Sequence, residues 1–176
     1  HLYNLNPSDF EKLINIICQK ILGTGVISFS EGKDGGRDGK FVGKAENYPS
    51  TNSTWSGSFT IQAKHTSNPI ASCSDADFQK LIEVEAQKIK KLRSNNEIDN
   101  YLLFTNRKYT GIKGEELCKK ITEISGLQNV AIIGKETISD LYLNPNKQIV
   151  RQFNLNRINI PFDFSDEEIK EIILAF

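Results

Sequence analysis

Two short runs, Tyr-Leu-Leu-Phe-Thr-Asn at 101–106 and Asn-Val-Ala-Ile-Ile-Gly at 129–134, are apolar over most of their length. A strand with one wet face alternates polar and apolar residues, whereas an unbroken apolar run needs cover on both faces. Between them lies Gly-Glu-Glu-Leu-Cys-Lys-Lys-Ile-Thr-Glu-Ile-Ser at 114–125, spaced as a helix and stopped by Gly126. Covered strands separated by a helix place the chain in the layered α/β class.

The remaining segments extend that pattern. Residues 6–22 carry an apolar stripe, Phe10, Leu13, Ile14, Ile17, Ile21 and Leu22, with Asn6-Pro7 as helix cap and first turn and Gly23 and Gly25 as the stop. Val-Ile-Ser-Phe-Ser (26–30) predicts a strand, and Gly-Lys-Asp-Gly-Gly-Arg-Asp-Gly-Lys (32–40) the turn after it. A strand starts near Phe41 and gives way to a Ser-, Thr- and Asn-rich stretch, 44–57, expected to be a long loop. The clearest strand is 59–66, where Phe59, Ile61 and Ala63 alternate with Thr60, Gln62 and Lys64. Residues 75–93 predict a long helix ending around 94–96, and 136–143 a short one. Residues 148–160 are expected to be strand or extended chain, and a capping box at Ser165 and Glu168 opens a last helix. The order α-β-β-β-α-β-α-β predicts a single α/β domain over 1–176, a mixed central sheet flanked by helices.

Composition narrows the class of function. With 38% hydrophobic and 25% charged residues, a soluble globular chain is favoured over a disordered or membrane protein. No apolar run approaches the ~18 residues of a membrane span. The cysteines, Cys18, Cys73 and Cys118, are odd in number and lack metal-type spacing, which points to a reducing, cytoplasmic setting. The 22 basic and 22 acidic residues cancel, so a nucleic-acid partner would have to be held by a local patch. No methionine occurs, and Ser-Asp-Glu-Glu-Ile-Lys-Glu-Ile-Ile-Leu-Ala-Phe is still helical in pattern at the last residue. We expect a domain excised from something longer.

The candidate chemistry lies on the strand 59–66. Residues two apart share a face, so Gln62 and Lys64 project together, away from the apolar side. An oxygen ligand beside a lysine suits phosphodiester hydrolysis: the ligand holds a divalent cation, and the ammonium orients water and offsets phosphate charge. Gln62 alone anchors magnesium poorly, because that hard cation prefers carboxylates. Asp38, with Gly36 and Gly39 around it to admit a close approach, is the candidate carboxylate from another strand.

At this point Gly-Lys-Asp-Gly-Gly-Arg-Asp-Gly (32–39), Gln62-Ala63-Lys64 and the opening Asp-Phe-Glu-Lys-Leu-Ile helix (9–14) resemble the PD-(D/E)xK nuclease superfamily. The resemblance covers residues 6 to 110 and is closest to the Mrr-type restriction endonuclease branch and the nuclease effectors of bacterial anti-phage defence. It implies a restriction-endonuclease-like fold and a metal-dependent DNA endonuclease using magnesium, with manganese as a substitute. Asp38 would be the central metal ligand and Lys64 the catalytic lysine. Gln62 stands where most of the superfamily has Glu or Asp, although the Mrr-type branch accepts Gln. The Ala63 carbonyl would complete the metal shell, and Glu11 matches an acidic residue that assists the site. The implied partners are double-stranded DNA, further domains or subunits for recognition and activation, and a second copy in a homo-oligomer, but no membrane. One departure is the 24 positions between Asp38 and Gln62, lengthened by 44–57.

Plainer readings stand beside these. The glycine-rich stretch is also a standard hairpin turn, with Asp34 as a turn residue. Glu11 could complete a capping box with Ser8. His65 is expected to be structural. Lys88, Lys90, Lys91 and Arg93 form either a solvated helix face or, through Lys88 and Lys91 together with Arg37, a phosphate-contacting strip. Tyr48 and Trp55 either stack on a base or anchor their loop. The rival function is a nucleic-acid-binding or scaffold module that kept the fold without the chemistry, a possibility raised by the neutral Gln62.

Overall fold

The computed structural model describes residues 1–28 and 38–155. Helix α1 (Pro7–Ile21) starts as its sequence dictates: the Asn6 side chain accepts from the Asp9 N–H at 2.8 Å, and Pro7 fills the first helical position. The cap is therefore Asn6 rather than Ser8. Strands β1 (Ile27–Ser28), β2 (Gly39–Ser50) and β3 (Ser53–Lys64) follow, then α2 (Ala76–Ser94), β4 (Asn100–Thr105), α3 (Gly111–Ser125) and β5 (Asn129–Ile133). Three short helical pieces close the described chain: α4 (Lys135–Thr137), a π-helical stretch (Ile138–Leu143) and α5 (Lys147–Gln152).

The sheet is mixed and runs β1-β2-β3-β4-β5 in space as in sequence. β1, β2 and β3 pair antiparallel, and β3, β4 and β5 pair parallel, each parallel link passing through α2 or α3. Gly126 closes α3 at φ 74°, a left-handed conformation that suits glycine. This is the α/β architecture expected, an open five-stranded sheet flanked by helices.

Both faces of the parallel strands are covered, as their apolar sequences require, while Ile27 of β1 and Val42 of β2 stay exposed. On one, Phe59, Ile61, Ala63, Leu102 and Phe104 pack with Phe10, Leu13, Ile14 and Ile17 of α1. On the other, Tyr101, Leu103 and Ile132 pack with Phe78, Ile82, Ala86 and Ile89 of α2 and with Leu117 and Ile121 of α3. Each fully buried large side chain contributes roughly 1.5–3 kcal/mol by leaving water.

Two expectations are corrected. Residues 44–57 are not a loop: β2 and β3 form one long hairpin that turns at Thr51-Asn52, with an irregularity in register between Lys44 and Pro49. Its polar residues face solvent, while Tyr48 and Trp55 meet edge to face at 5.3 Å against the core. The arm docks on the end of α1, where Asn47 Nδ2 donates to the Lys20 carbonyl and the Glu46 N–H to the Leu22 carbonyl. Residues 148–152 lie within helix α5 rather than a strand, with Ile149 and Val150 buried. The face of β3 that bears Gln62 and Lys64 lies under α2, and Gln62 is 3% exposed. Asp34, Gly36, Arg37 and the capping box at Ser165 and Glu168 lie outside the described residues. Among the described residues, no helix is long and apolar enough to cross a membrane.

Candidate active site

In sheets with parallel strands, ligands gather at the carboxyl ends of those strands. Gln62-Ala63-Lys64 is the carboxyl end of β3, paired in parallel with Leu103-Phe104-Thr105 of β4. β2 runs the other way, so its first residues arrive at the same end. Asp38, just before β2, donates its N–H to the Ile61 carbonyl at 3.1 Å. Its carboxylate Oδ2 accepts from the Ala63 N–H at 2.6 Å and from Gln62 Nε2 at 2.8 Å. The two halves of the motif, far apart in sequence, are thus joined directly. A strand residue directs its N–H and C=O to the same side, so the Ala63 carbonyl opens toward Asp38.

Burial raises the pKa of Asp38 above the ordinary carboxylate value. The Ala63 N–H and the nearby Lys64 charge oppose that rise, Glu85 adds to it, and Lys88 opposes it. The acid is part-buried and hydrogen-bonded, yet close to both cations.

Lys64 extends toward α2, where its ammonium lies 3.5 Å from Glu85 Oε1. The same oxygen takes Lys88 Nζ at 2.8 Å, and Tyr101 Oη donates to Glu85 Oε2 at 3.4 Å. Glu85 is 4% exposed. Burial, and then the Glu85 charge, push the Tyr101 hydroxyl well above its usual pKa, so it stays a donor. The position of α2 is fixed at its start by Arg107, which bonds Asp75 at 3.0 Å and Asp77 at 2.6 Å and lies over the Phe78 ring.

The structure therefore brings Asp38, Gln62, Ala63 and Lys64 together and adds Lys88 through Glu85. Lys91 lies exposed on the following turn of α2. Glu11 sits on α1, which packs on the other face of the sheet. It lines a depression with Ser8, Asn15 and Ser28 that includes none of Asp38, Gln62 or Lys64. Asn15, one helical turn beyond Glu11, approaches Gly39 with its carboxamide oxygen. His65 is structural, as expected: its ring rests against Phe10 and its Nε2 meets the Leu2 carbonyl at 3.1 Å. Tyr48 and Trp55 anchor the hairpin arm.

Glu85 is the residue that sequence reasoning missed. Its signal was present, since it falls within the apolar stripe Phe78, Ile82, Ala86 and Ile89, where a charge needs a buried partner.

The donor set fits a hard divalent cation in type: a carboxylate, a peptide carbonyl and, after a half-turn of its amide, the Gln62 carboxamide oxygen. As it stands, Gln62 presents N–H to Asp38. Among the described residues no group of three or more His, Cys, Asp or Glu is placed to hold a metal. A site of one carboxylate and two neutral oxygens does not depend on such a group. No protein-family model matches the chain, and a search of curated proteins gives no match.

Proposed function

We propose that this chain is a metal-dependent DNA endonuclease domain with a restriction-endonuclease-like fold, serving as a cytoplasmic effector of bacterial restriction or anti-phage defence. The observation that carries this proposal is the direct bonding of Asp38 to Gln62 and Ala63, one residue before Lys64. It supports the motif pair as one site rather than a turn and an unrelated strand.

Asp38, the Ala63 carbonyl and Gln62 would hold magnesium. When bound, the ion supplies Lewis-acid stabilisation of the phosphate and a more acidic water. Lys64, 26% exposed at its side chain, is accessible enough to meet a phosphate and is directed by Glu85. Its ammonium orients the attacking water and offsets the charge that grows on the non-bridging oxygens. Lys88 and Lys91 continue the positive strip along α2 and contact flanking phosphates. Glu11 is left to a supporting role from α1.

A second function is a nucleic-acid-binding module without catalysis. The amide of Gln62 favours it, since that group satisfies Asp38 with no cation present. Incubation with supercoiled plasmid, with and without magnesium and beside Lys64→Ala, separates the two. Metal-dependent nicking that is lost in the variant supports the nuclease. DNA binding with no cleavage in magnesium or manganese supports the binding module.

A further inference from the structure

A carboxylate inside an apolar helix stripe needs a reason. If Glu85 served packing alone, a well-fitted apolar side chain would hold α2 to the sheet as well or better, because burying ion pairs returns little net stability. The Tyr101 hydroxyl donates to its Oε2 at 3.4 Å, but a single neutral donor does not neutralise a buried carboxylate. The charges that do so are two ammonium groups at the site, Lys88 hydrogen-bonded at 2.8 Å and Lys64 ion-paired at 3.5 Å, both on Oε1.

Lys64 is attached to β3 at a point already pinned, since the preceding residue bonds Asp38. Its four-carbon stem would otherwise leave the ammonium free to sample many rotamers, and ordering such a side chain has an entropic cost. The anion within reach of it is Glu85, buried on α2 and 3.5 Å away. Two like charges, Lys64 and Lys88, are also kept together beside Asp38 by this single carboxylate.

We propose that Glu85 is a positioning residue, which anchors the Lys64 ammonium from α2 and holds it beside the Asp38–Gln62 pair. The catalytic consequence rests on the nuclease function proposed above, but the anchoring does not.

The test uses the chain labelled with 13C at lysine Cε, with the Lys64 signal assigned through Lys64→Arg. NMR relaxation in the unmutated protein should show a Lys64 methylene more restricted than that of exposed Lys91. Glu85→Gln, of nearly the same shape, should free it. Single-turnover cleavage by Glu85→Gln should fall ~10- to 100-fold, as a misplaced group allows. DNA affinity should hold or tighten, because a negative charge has been removed. Adding Glu85→Gln to Lys64→Ala should slow cleavage no further.

A Lys64 as mobile as Lys91 in the unmutated protein overturns the anchoring, whether or not the variant folds. A restricted Lys64 with undiminished cleavage in Glu85→Gln overturns the positioning role. If the unmutated chain cuts no DNA with any divalent metal, the nuclease proposal fails, while a Lys64 restricted by Glu85 still upholds the anchor.

Discussion

Asp38 and Gln62 face each other at the open end of the β2–β3 hairpin, Gln62 Nε2 donating to Asp38 Oδ2 at 2.8 Å. This contact sets the behaviour of Gln62→Glu. The substitution removes the donor and places two carboxylates side by side at a position that is 3% exposed. Without metal the variant should be less stable by roughly 1–3 kcal/mol. Magnesium should restore that loss, and half-maximal cleavage should need less magnesium than the unmutated protein. Gln62→Ala should need more. Thermal melts and cleavage across a magnesium titration check both. Identical metal dependence in all three proteins would remove Gln62 from the ligand set.

Asp38 should limit stability when no metal is bound. Its folded pKa is raised by burial, so the protonated form is favoured in the native state. Its contribution is fully present below the unfolded value of about 3.9 and is lost as pH rises through the higher folded value. Asp38→Asn should therefore gain stability relative to the parent on going from acid to neutral pH. Added magnesium should raise the Tm of the parent and not of the variant. Melting curves at several pH values, with and without magnesium, measure both effects. A variant still stabilised by magnesium would take Asp38 out of the metal site.

Lys64→Ala should lose cleavage by ~1000-fold yet keep most of its DNA affinity, because one phosphate contact is a small part of the electrostatic total. Single-turnover kinetics beside fluorescence anisotropy separates these. A parallel loss of affinity would make Lys64 a binding residue only.

Along α2, Lys91→Gln should reduce the slope of log affinity against log salt by about 0.9 if Lys91 meets a phosphate. Lys91 is the cleaner probe, because neutralising Lys88 also strips a cation from Glu85. An unaltered slope returns Lys91 to a solvated helix face.

Gly57 tests the hairpin itself. It lies in β3 at φ 109°, and a Cβ there would collide with the Asp99 carboxylate. Gly57→Ala should therefore destabilise the fold by roughly 1–3 kcal/mol in denaturant unfolding. In a free loop the same change would be nearly neutral.

Some of the molecule is local physics and could be read directly. The caps at Asn6 and Gly126, the α1 stripe and the covered strands β4 and β5 follow from residue type and spacing within a few positions. So does the placing of Gln62 and Lys64 on one face of β3, since alternation is a property of any strand. The hairpin was not legible, because serine, threonine and glycine form strands only when a partner strand supplies their hydrogen bonds. Asp38, within a glycine-rich stretch that reads as a turn, becomes part of a site only where the Ala63 N–H and the Gln62 amide reach it. Glu85 shows the same division most clearly. Its place in an apolar stripe and its pairing with Lys88 one helical turn on are local, but Lys64 and Tyr101 reach it only when α2 packs across the sheet. Charges in a buried place are satisfied by neighbours in space, and those neighbours are chosen by the tertiary structure.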